Sequence, residues 1–550
     1  MPHKRLFALV MIVTLLVTAC GGGNTGPTAA PSPTSTPEHA AGETLRIVAG
    51  SENEVLEPLI IHWAETQGYQ VTIDYLGSVD ISRQLQSGQI EYDAVWPANS
   101  LWLRYGDTHG LVQHEESIFR SPVVLGVYRS VAADLGWIDA DVTMAQILEA
   151  AESGVLRFMM TSATQSNSGA SFYFAALYAF AGQPQVLTAA DLENPDVRDQ
   201  ITRVLGQVDR SSGSSGWLRT LFMDQVFSGR FNAMVNYETL IIETNQDLVA
   251  QGHEPLYVIY PVDGLAIADS PLGFIDQGVD GREDVFRALQ TYLTSDPEAQ
   301  AVLLEHGRRV GLIGLNPDQV DPAIFNPDWG IDISRVLQPI TFPQSDVIQR
   351  ALTLYQTAFR RPSCTVFVLD YSGSMGSNGG EQLVEQAMLT LLDQHVAEQY
   401  LLQGHPDDVT SVLVFSDSIM NDNELDAWTV RGNNQADLIN LYNQIAAWSP
   451  AGGTNIFGAA RAGLERARQI RTDECLPSVI LMTDGADTNG QQDSFTSYLA
   501  ANENEIPVFA ILFANANSDQ LNQITSATFA RTFDGTADLV QAFRSAKGYN

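Results

Sequence analysis

The sequence predicts an α/β protein whose last third forms a doubly wound, mostly parallel sheet. Apolar runs of strand length alternate with stretches of helical periodicity from residue 44 to the end of the chain. This alternation is typical of parallel sheets with helices packed on both faces. The chain of 550 residues is long enough for two or three domains, each with its own core.

The net charge of −36 bears on the partners of this protein. Binding to a phosphate backbone requires a basic surface, so the charge argues against a nucleic acid partner. An acidic surface keeps a protein soluble and attracts divalent cations, but it does not decide the fold.

Residues 1–19 have the pattern of a signal peptide, in which Lys4 and Arg5 precede an apolar run and then small residues. The run LVTAC resembles a bacterial lipobox, which implies cleavage before Cys20 and a lipid on its sulfur. A plain signal peptide or a short membrane anchor is the alternative. Residues 20–43 are rich in Gly, Pro, Ser and Thr, which predicts a flexible linker. The lipobox implies an extracytoplasmic protein that meets the bacterial cell membrane through its lipid anchor only.

Two cysteines remain if Cys20 carries the lipid. Cys364 opens the strand CTVFVLD, and Cys475 shortly precedes the strand PSVILMTDG. If these strands are neighbours in a parallel sheet, both sulfurs lie at the same end of it. In an oxidising compartment we predict a disulfide, with a chain-entropy benefit of about 4 to 5 kcal/mol for so long a loop. Two buried thiols are the alternative.

Oxygen-bearing side chains gather where strands of the last third end. Asp370, Ser372 and Ser374 follow the strand CTVFVLD, and Asp484 follows the strand VILMT. Thr454 lies in the glycine-containing loop SPAGGTN, which opens a helix. Because the carboxyl ends of parallel strands share one edge, we expect these five side chains to converge. An all-oxygen set completed by waters suits Mg²⁺, or Mn²⁺ or Ca²⁺, and not zinc.

Residues 363–550 resemble the von Willebrand factor A domain. The resemblance rests on the motifs DYSGS, GGTN and TDG, which contain the five oxygen donors in order. It implies that they form a metal-ion-dependent adhesion site (MIDAS), in which the serines usually contact the metal directly and the carboxylates often act through water. A vacant coordination position would accept an acidic side chain from a partner protein of unknown identity. A domain of this family with a vestigial metal site is the alternative.

Residues 44–345 place hydroxyl and amide groups at the junctions between strands and helices. Helix N-termini offer free N–H groups to a ligand, so these junctions are candidate binding positions. A loop rich in Ser, Thr and Asn, TSATQSNSGA, also leads from a strand into a long apolar helix. The candidate ligand-binding residues are Ser51, Ser78, Asn99, Ser100, Thr164, Asn167, Ser168 and Tyr237.

This front part resembles the type 2 extracellular solute-binding proteins of ABC uptake systems, and most of all their molybdate-type branch. The resemblance rests on the stretches RIVAGSENEVLEPLI, YLGSVDISRQLQSGQIEYDAVWPANSLW, SNSGASFYFAAL, NYETLI and YPVDGLAIADSPLGF. It implies a periplasmic-binding-protein-like domain of two α/β lobes with a solute in the cleft between them. Lobe 1 would comprise residues 44–121 and 256–345, and lobe 2 would comprise residues 122–255.

The resemblance also implies a class of solute, an oxyanion. Glu52 and Glu54 flank Ser51, however, where an oxyanion would prefer neutral surroundings. A sugar, an amino compound or another small polar solute is therefore an alternative, and a solute-binding fold kept as a rigid spacer is a further one. The positions that match anion contacts in the molybdate-type branch are Ser51, Ser78, the loop 163–168 and Tyr237.

The sequence also predicts the local structure of two other segments. The Ser- and Gly-rich stretch DRSSGSSGWLRT, residues 209–220, is expected to form a loop rather than the lining of the cleft. Apolar spacing within VIQRALTLYQTAF predicts a connecting helix over residues 346–362. We expect this helix to pack on lobe 1 and to deliver the chain into the strand of Cys364.

The sequence does not favour an enzyme. Lys4 and Lys547 are the only lysines, so no phosphate-loop or Schiff-base lysine lies in a core. The H-E-x-x-H and G-x-S-x-G motifs are absent, and a metal-assisted hydrolase would lack an evident base. The sequence instead predicts a cell-surface lipoprotein that binds a protein partner through the metal site and a small solute in its cleft. An ABC-uptake solute receptor with an accessory von Willebrand factor A module is the alternative.

Overall fold

The computed structural model describes residues 44–548. The residues left out of this range are 312–314, 316, 317, 319, 378, 503, 504, 514, 515 and 537. The signal peptide, the linker and the lipidation of Cys20 fall outside the described residues. Within the described residues, no helix has both the length and the hydropathy needed to cross a bilayer.

Eleven strands and twelve α-helices are described in the part of the chain that precedes the connecting helix. The strands are β1 (Thr44–Ala49), β2 (Gln70–Tyr75), β3 (Ala94–Trp96), β4 (Val112–Ser117), β5 (Ser121–Tyr128), β6 (Phe158–Thr161), β7 (Val208–Ser212), β8 (Ala233–Tyr237), β9 (Leu256–Ile259), β10 (Ile267–Ala268) and β11 (Pro271–Ile275). The helices are α1 (Glu57–Gln67), α2 (Ser78–Ser87), α3 (Ser100–Gly106), α4 (Arg129–Asp134), α5 (Met144–Glu152), α6 (Asn167–Phe180), α7 (Ala189–Glu193), α8 (Pro195–Gly206), α9 (Ser215–Asp224), α10 (Glu238–Ala250), α11 (Arg282–Ser295) and α12 (Pro297–Glu305).

These strands form two sheets, one for each lobe. The sheet of lobe 1 has the order β2-β1-β3-β11-β4, and that of lobe 2 has the order β10-β5-β8-β6-β7 with β9 paired to β5. The predicted return to lobe 1 at residue 256 is therefore too early. Residues 256–259 and 267–268 pair antiparallel with β5, because this long apolar strand offers both edges to partners.

The segment 209–220, predicted as a loop, is ordered as the end of β7 and the start of α9. The hydroxyl of Ser214 accepts a hydrogen bond from the N–H of Trp217 at 3.3 Å. Serine is a favoured N-cap because its oxygen satisfies one of the unpaired N–H groups of the first turn. The serines here start a helix rather than interrupt structure, so the loop prediction is wrong.

The connecting helix is α13 (Ser345–Leu354), and it continues as a π-helical turn, Tyr355–Phe359. The sequence had led us to expect packing on lobe 1. The helix packs chiefly on lobe 2 instead, although the hydroxyl of Tyr105 in lobe 1 also donates to the side chain of Gln349. The hydroxyl of Tyr173 donates to the main-chain oxygen of Ala351 at 2.9 Å. The ring of Tyr173 also lies 5.4 Å from that of Tyr355 and 6.4 Å from that of Phe359, measured between centroids. The aromatic residues of α6 therefore provide the surface that this helix buries.

The C-terminal domain follows as a third sheet with helices on both faces. Its order is β14-β13-β12-β15-β16-β17, and only β14 runs antiparallel to its neighbour. The strands are β12 (Ser363–Asp370), β13 (Val409–Phe415), β14 (Thr429–Arg431), β15 (Leu476–Thr483), β16 (Val508–Leu512) and β17 (Thr532–Asp534). The helices are α14 (Gly373–Ser377), α15 (Gly380–Leu392), α16 (Gln394–Gln399), α17 (Gln435–Ile445), α18 (Ile456–Ile470), α19 (Gln492–Ala501), α20 (Ser518–Ser526) and α21 (Leu539–Lys547).

The predicted disulfide between Cys364 and Cys475 is confirmed. Strands β12 and β15 are adjacent and parallel, and Cys364 lies opposite Pro477 in their pairing. The two cysteines are 111 residues apart in the sequence, so the bond closes a long loop around half of this sheet. The neighbouring strands thus bring both sulfurs to the amino end of the sheet.

A buried arginine of α21 joins the C-terminal domain to both lobes. Arg544 is 1% exposed and pairs through Nε with Asp80 of lobe 1. Its other nitrogens donate to the main-chain oxygens of Thr164 in lobe 2 and of Tyr400 in its own domain. The side chain of Gln165 in turn donates to the main-chain oxygen of Arg544. One guanidinium therefore holds three parts of the chain together.

A second buried ion pair holds the start of the C-terminal domain. Arg360, which ends the connecting segment, donates to both carboxylate oxygens of Asp408, and the N–H of Ser363 donates to Asp408 at 2.7 Å. Burial alone would raise the pKa of Asp408, but Arg360, Lys547 and the Ser363 N–H outweigh it and lower this pKa to about 2.

We expect Arg544→Ala to loosen the contact between the C-terminal domain and the lobes by about 3 kcal/mol, because it leaves the buried carboxylate of Asp80 without its cation. Hydrogen exchange of α21 and of residues 162–168 measures this loss directly. Arg461→Ala is the matched control, since its partner Glu465 is exposed and such pairs contribute little. Equal exchange in the two variants would contradict a central role for Arg544.

The low pKa of Asp408 predicts a loss of stability in acid. A carboxyl whose folded pKa lies below its unfolded value of 3.8 contributes stability above that value and loses it as the pH falls toward about 2. The expected contribution is about 2 kcal/mol. Urea unfolding of the protein and of Asp408→Asn between pH 6 and pH 2 measures it, and the gap between the two should shrink below pH 4. A gap independent of pH would refute this role.

Candidate functional site

The first cluster of predicted residues lies at the carboxyl end of β12. Asp370 ends this strand and is fully buried. Its Oδ1 accepts from the N–H of Ser372 at 2.7 Å, and its Oδ2 accepts from the hydroxyl of Thr483 at 2.6 Å. The carboxylate is therefore fixed in direction by its own turn and by the end of the neighbouring strand β15.

The serines of the same turn reach the second carboxylate. The hydroxyl oxygens of Ser372 and Ser374 lie 3.1 Å apart, and the hydroxyl of Ser374 donates to Oδ1 of Asp484 at 2.7 Å. Asp484 follows β15, the parallel neighbour of β12. Four of the five predicted donors are thus linked within hydrogen-bond distance.

Thr454 arrives on a separate loop that is pinned to this turn. The N–H of Ala451 donates to the oxygen of Tyr371 at 2.9 Å, and the N–H of Gly373 donates to the oxygen of Gly452 at 3.1 Å. A Cβ placed on Gly485 would lie 3.3 Å from the Thr454 hydroxyl and 3.5 Å from that of Ser374. The structure thus brings all five predicted donors to one edge of the sheet.

These donors fit a hard cation. Ligands of an octahedral Mg²⁺ lie about 2.1 Å from the ion and so about 3 Å from one another, and the oxygen separations of 2.7 and 3.1 Å match this spacing. Among the described residues, no group of three or more His, Cys, Asp or Glu is placed to hold a metal ion. A cation at this edge would therefore depend on the hydroxyl groups of Ser372, Ser374 and Thr454.

Burial also affects the electrostatics of this edge. Desolvation raises the pKa of Asp370 to about 6, against the lowering effect of its hydrogen bonds from Thr483 and Ser372, and the nearby charge of Asp484 adds to the rise. A bound cation would favour the charged carboxylate instead.

Sequence reasoning missed three residues that shape this site, Asp417, Thr483 and Thr488. Asp417 follows β13, and a Cβ on Gly453 would lie 2.5 Å from its Oδ1 and 2.8 Å from the Thr488 hydroxyl. The N–H of Thr454 donates to that hydroxyl at 2.9 Å. A signal for Asp417 was present, since it follows an apolar strand just as the two predicted aspartates do.

The second cluster of predicted residues lies between the lobes, and the cleft there is closed. The hydroxyl of Ser51 in lobe 1 accepts from the hydroxyl of Ser214 at 2.8 Å and from the N–H of Gly216 at 3.1 Å, both in lobe 2. The N–H of Val79 also donates to the oxygen of Gln165 at 3.2 Å across the cleft. Ser51 thus closes the cleft with its own hydroxyl.

The other candidates of lobe 1 make hydrogen bonds within the protein. The hydroxyl of Ser78 accepts from the N–H of Ala98 at 3.0 Å. Asn99 caps α3 and donates to the oxygen of Ile267 at 2.9 Å. The N–H of Ser100 donates to Asp269 at 2.7 Å. Ser78 and Ser100 therefore hold segments of lobe 1 in place, whereas Asn99 links lobe 1 to β10 in the sheet of lobe 2.

The candidates of lobe 2 form a buried network. Asn167 accepts from the indole N–H of Trp102 at 2.7 Å and donates to the hydroxyl of Tyr237 at 3.1 Å. The hydroxyl of Ser168 lies 2.8 Å from that of Ser215, and the hydroxyl of Thr164 lies 3.1 Å from that of Ser162. The structure therefore brings Asn167 and Tyr237 together, but it does not bring the eight candidates around one cavity.

Cavities lie on both sides of the Ser51 contact. One, of about 860 Å³, lies between the lobes and the C-terminal domain and is lined in part by Tyr75, Gln165, Trp217 and Phe533. The other, of about 450 Å³, lies between residues 51–55 of lobe 1 and the helices α9 and α10 of lobe 2. Both have the size of small-molecule sites.

Comparison with known families assigns the two parts of the chain. Residues 45–309 match the family described as bacterial extracellular solute-binding protein, and residues 365–544 match the von Willebrand factor type A domain. The chain therefore joins an extracellular solute-binding domain to a von Willebrand factor A domain. The predicted fold class is confirmed, since the three sheets agree with both assignments.

Solved structures similar to this chain include periplasmic binding proteins. The sulfate-binding protein SubI from Mycobacterium tuberculosis H37Rv is 17% identical, with a TM-score of 0.38, over 55% of this chain and 94% of that one. Iron-bound HitA from Pseudomonas aeruginosa is 14% identical, with a TM-score of 0.40, over 57% and 98%. The periplasmic molybdate-binding protein of Azotobacter vinelandii is 13% identical, with a TM-score of 0.33, over 49% and 100%. Comparison with curated proteins gives no match.

We expect Gly453→Ala to destabilise the C-terminal domain by about 1 to 3 kcal/mol, because the added methyl group would press against Asp417 and Thr488. Gly206→Ala is the control, since a Cβ there meets nothing within 4 Å and should be neutral or slightly stabilising. Urea unfolding measures both variants. A Gly453→Ala protein as stable as its control would show that the loop carrying Thr454 is not tightly fitted.

Proposed function

We propose that this chain is an extracytoplasmic, lipid-anchored protein that binds a partner protein through a divalent cation and a small solute through its front domain. The observation that carries the first part is the convergence of five oxygen donors at the edge formed by β12 and β15. The proposed anchor is Cys20, which lies outside the described residues. The family of residues 45–309 supports the second part.

The chemistry of the donor set favours a role in adhesion. When bound, Mg²⁺, Mn²⁺ or Ca²⁺ would supply an electrophilic centre for an acidic side chain of the partner. Ser372, Ser374 and Thr454 would hold the cation with neutral oxygens, and Asp370 and Asp484 would orient them and neutralise part of its charge. Neutral ligands leave the cation attractive to a further carboxylate, whereas additional carboxylate ligands would weaken that attraction.

The exposure of the sheet edge that carries the five donors also supports binding of a partner protein. Gly373 and Gly452, which flank the donors, are exposed. Arg544 lies on α21, a different element from the turn and loop that carry the donors. A partner can therefore approach the metal edge while the domain remains packed on the lobes.

A second candidate function is that of a solute receptor for an ABC uptake system, with the von Willebrand factor A domain as an accessory module. The match of residues 45–309 to extracellular solute-binding proteins favours it. The closed cleft is compatible with either function. We propose no catalytic role for either cluster.

The metal site is tested by titrating the EDTA-treated full chain with Mg²⁺, Mn²⁺ and Ca²⁺ in a calorimeter. We expect saturable binding of one ion that Ser374→Ala weakens by about tenfold or more, because a ligand oxygen is removed. Thr496→Ala on the exposed face of α19 serves as the control and should bind like the parent chain. Absence of binding in the parent chain, or equal binding by Ser374→Ala, would end the proposal.

A further inference from the structure

The C-terminal domain is joined to lobe 2 over a broad contact. The connecting helix that leads into this domain packs on α6 of lobe 2. Strand β7 adds direct hydrogen bonds, since Arg210 donates to the main-chain oxygen of Phe529 at 2.9 Å. Ser211 of the same strand donates to the main-chain oxygen of Gly548 at 3.1 Å. Trp217 of α9 also packs against the apolar core of the C-terminal domain. Lobe 2 and this domain therefore form one packed unit.

Lobe 1 meets the C-terminal domain through α2. Arg83 of this helix donates to the main-chain oxygens of Tyr400 and Gln399, at 2.9 and 2.8 Å. Its guanidinium also lies 4.9 Å from the ring centre of Tyr400. Asp80, one turn earlier on α2, pairs with the buried Arg544. These contacts gather at the carboxyl end of α16, where carbonyl groups lack partners within the helix and nearby cations are favoured.

The start of α2 also contacts lobe 2 across the cleft. The N–H of Val79 donates to the main-chain oxygen of Gln165 at 3.2 Å. A Cβ on Gly77, which precedes α2, would lie 2.1 Å from that oxygen, so glycine permits this close approach. The side chain of Gln165 donates in turn to the main-chain oxygen of Arg544. Helix α2 of lobe 1, the loop of Gln165 in lobe 2 and α21 therefore meet at one place.

We propose that the C-terminal domain is a latch that holds the solute cleft closed by binding α2 of lobe 1. This inference rests on the proposed solute-binding function and adds how the cleft is regulated. The segments 118–120 and 269–270 connect the sheets of the two lobes. Because the C-terminal domain is packed on lobe 2, rotation of lobe 1 about these segments separates α2 from lobe 2 and from the C-terminal domain together.

The latch acts on the equilibrium between the closed and the open cleft. Asp80 and Arg83 contact the C-terminal domain in the closed state, and opening the cleft exchanges these contacts for water. A contact that is made in only one of two states shifts the equilibrium between them by its own free energy. The latch therefore slows the entry and the release of a solute, since both require the open cleft.

The test is hydrogen exchange of the full chain without added solute, for the parent, Arg83→Gln and Asp80→Asn. The reporter is the N–H of Gly216 in lobe 2, which donates to the hydroxyl of Ser51 in lobe 1 at 3.1 Å. This hydrogen bond crosses the cleft, and α2 takes no part in it. We expect each variant to speed the exchange of this N–H by about tenfold or more, because a hydrogen-bonded charged contact of the closed state is lost. Small-angle X-ray scattering should show a larger radius of gyration for both variants.

Arg287→Gln is the matched control, because Arg287 lies on α11 of lobe 1 and pairs with the exposed Glu283 of the same helix. This variant should exchange and scatter as the parent chain does. Exchange at Gly216 that is unchanged in either Arg83→Gln or Asp80→Asn overturns the latch. Exchange that rises equally in the core strands β1 and β12 would show a general loss of stability, and it would overturn the latch as well.

Failure of this inference is distinguishable from failure of the proposed function, because the exchange experiment contains no solute. A closed cleft in the latch variants refutes the latch and leaves solute binding intact. A thermal-shift screen of the parent chain with sulfate, molybdate, sugars and amino compounds tests solute binding separately. If none of these compounds binds, the proposed solute function fails, whereas faster exchange at Gly216 would still establish the latch.

Discussion

The arrangement of this protein depends on the burial of one guanidinium, that of Arg544. A charged group removed from water is tolerated only when its donors find oxygen partners. Arg544 finds them in Asp80 of lobe 1, in Thr164 of lobe 2 and in Tyr400 of its own domain. Because these partners belong to three different parts, the guanidinium is satisfied only when the cleft is closed and the C-terminal domain is in contact with both lobes. Closure of the cleft and packing of the domain are thus one structural state.

The closed state explains how the polar groups of the cleft are used. The hydroxyl of Ser51 bonds to lobe 2, and Asn167 and Tyr237 bond to each other. Polar groups buried in this way must pair with one another, and most of the candidates do. Among the described residues, Glu52, Asn53, Arg219 and Arg308 near the cleft each keep at least one buried side-chain atom without a hydrogen bond. The closed cleft still leaves a cavity on each side of the Ser51 contact.

Much of the candidate metal site in the C-terminal domain could be predicted from the sequence, because its residues lie at the ends of recognisable strands. Strands that end in Asp370 and Asp484 must present them at the same edge if the strands are parallel neighbours, and the cysteines support that pairing. Asp417 obeys the same rule after β13 and could have been found. The fold of residues 209–220 could also have been read from the capping preference of Ser214. Both predictions require only the apolar pattern of a strand and the preference of serine for the start of a helix.

The remaining features depend on contacts between distant segments, which the sequence pattern does not specify. The apolar pattern of α13 does not specify which lobe the helix contacts. In the structure, Tyr173 of α6 in lobe 2 packs against the aromatic residues that follow α13. Arg544 is one of many arginines, and its role exists only because Asp80 lies 464 residues earlier in the chain and on the facing helix. Glu52 reads as an ordinary acidic residue of a first helical turn, which the helix dipole favours. Its burial and the resulting rise of its pKa to about 7 depend on contacts with distant segments rather than on the local sequence.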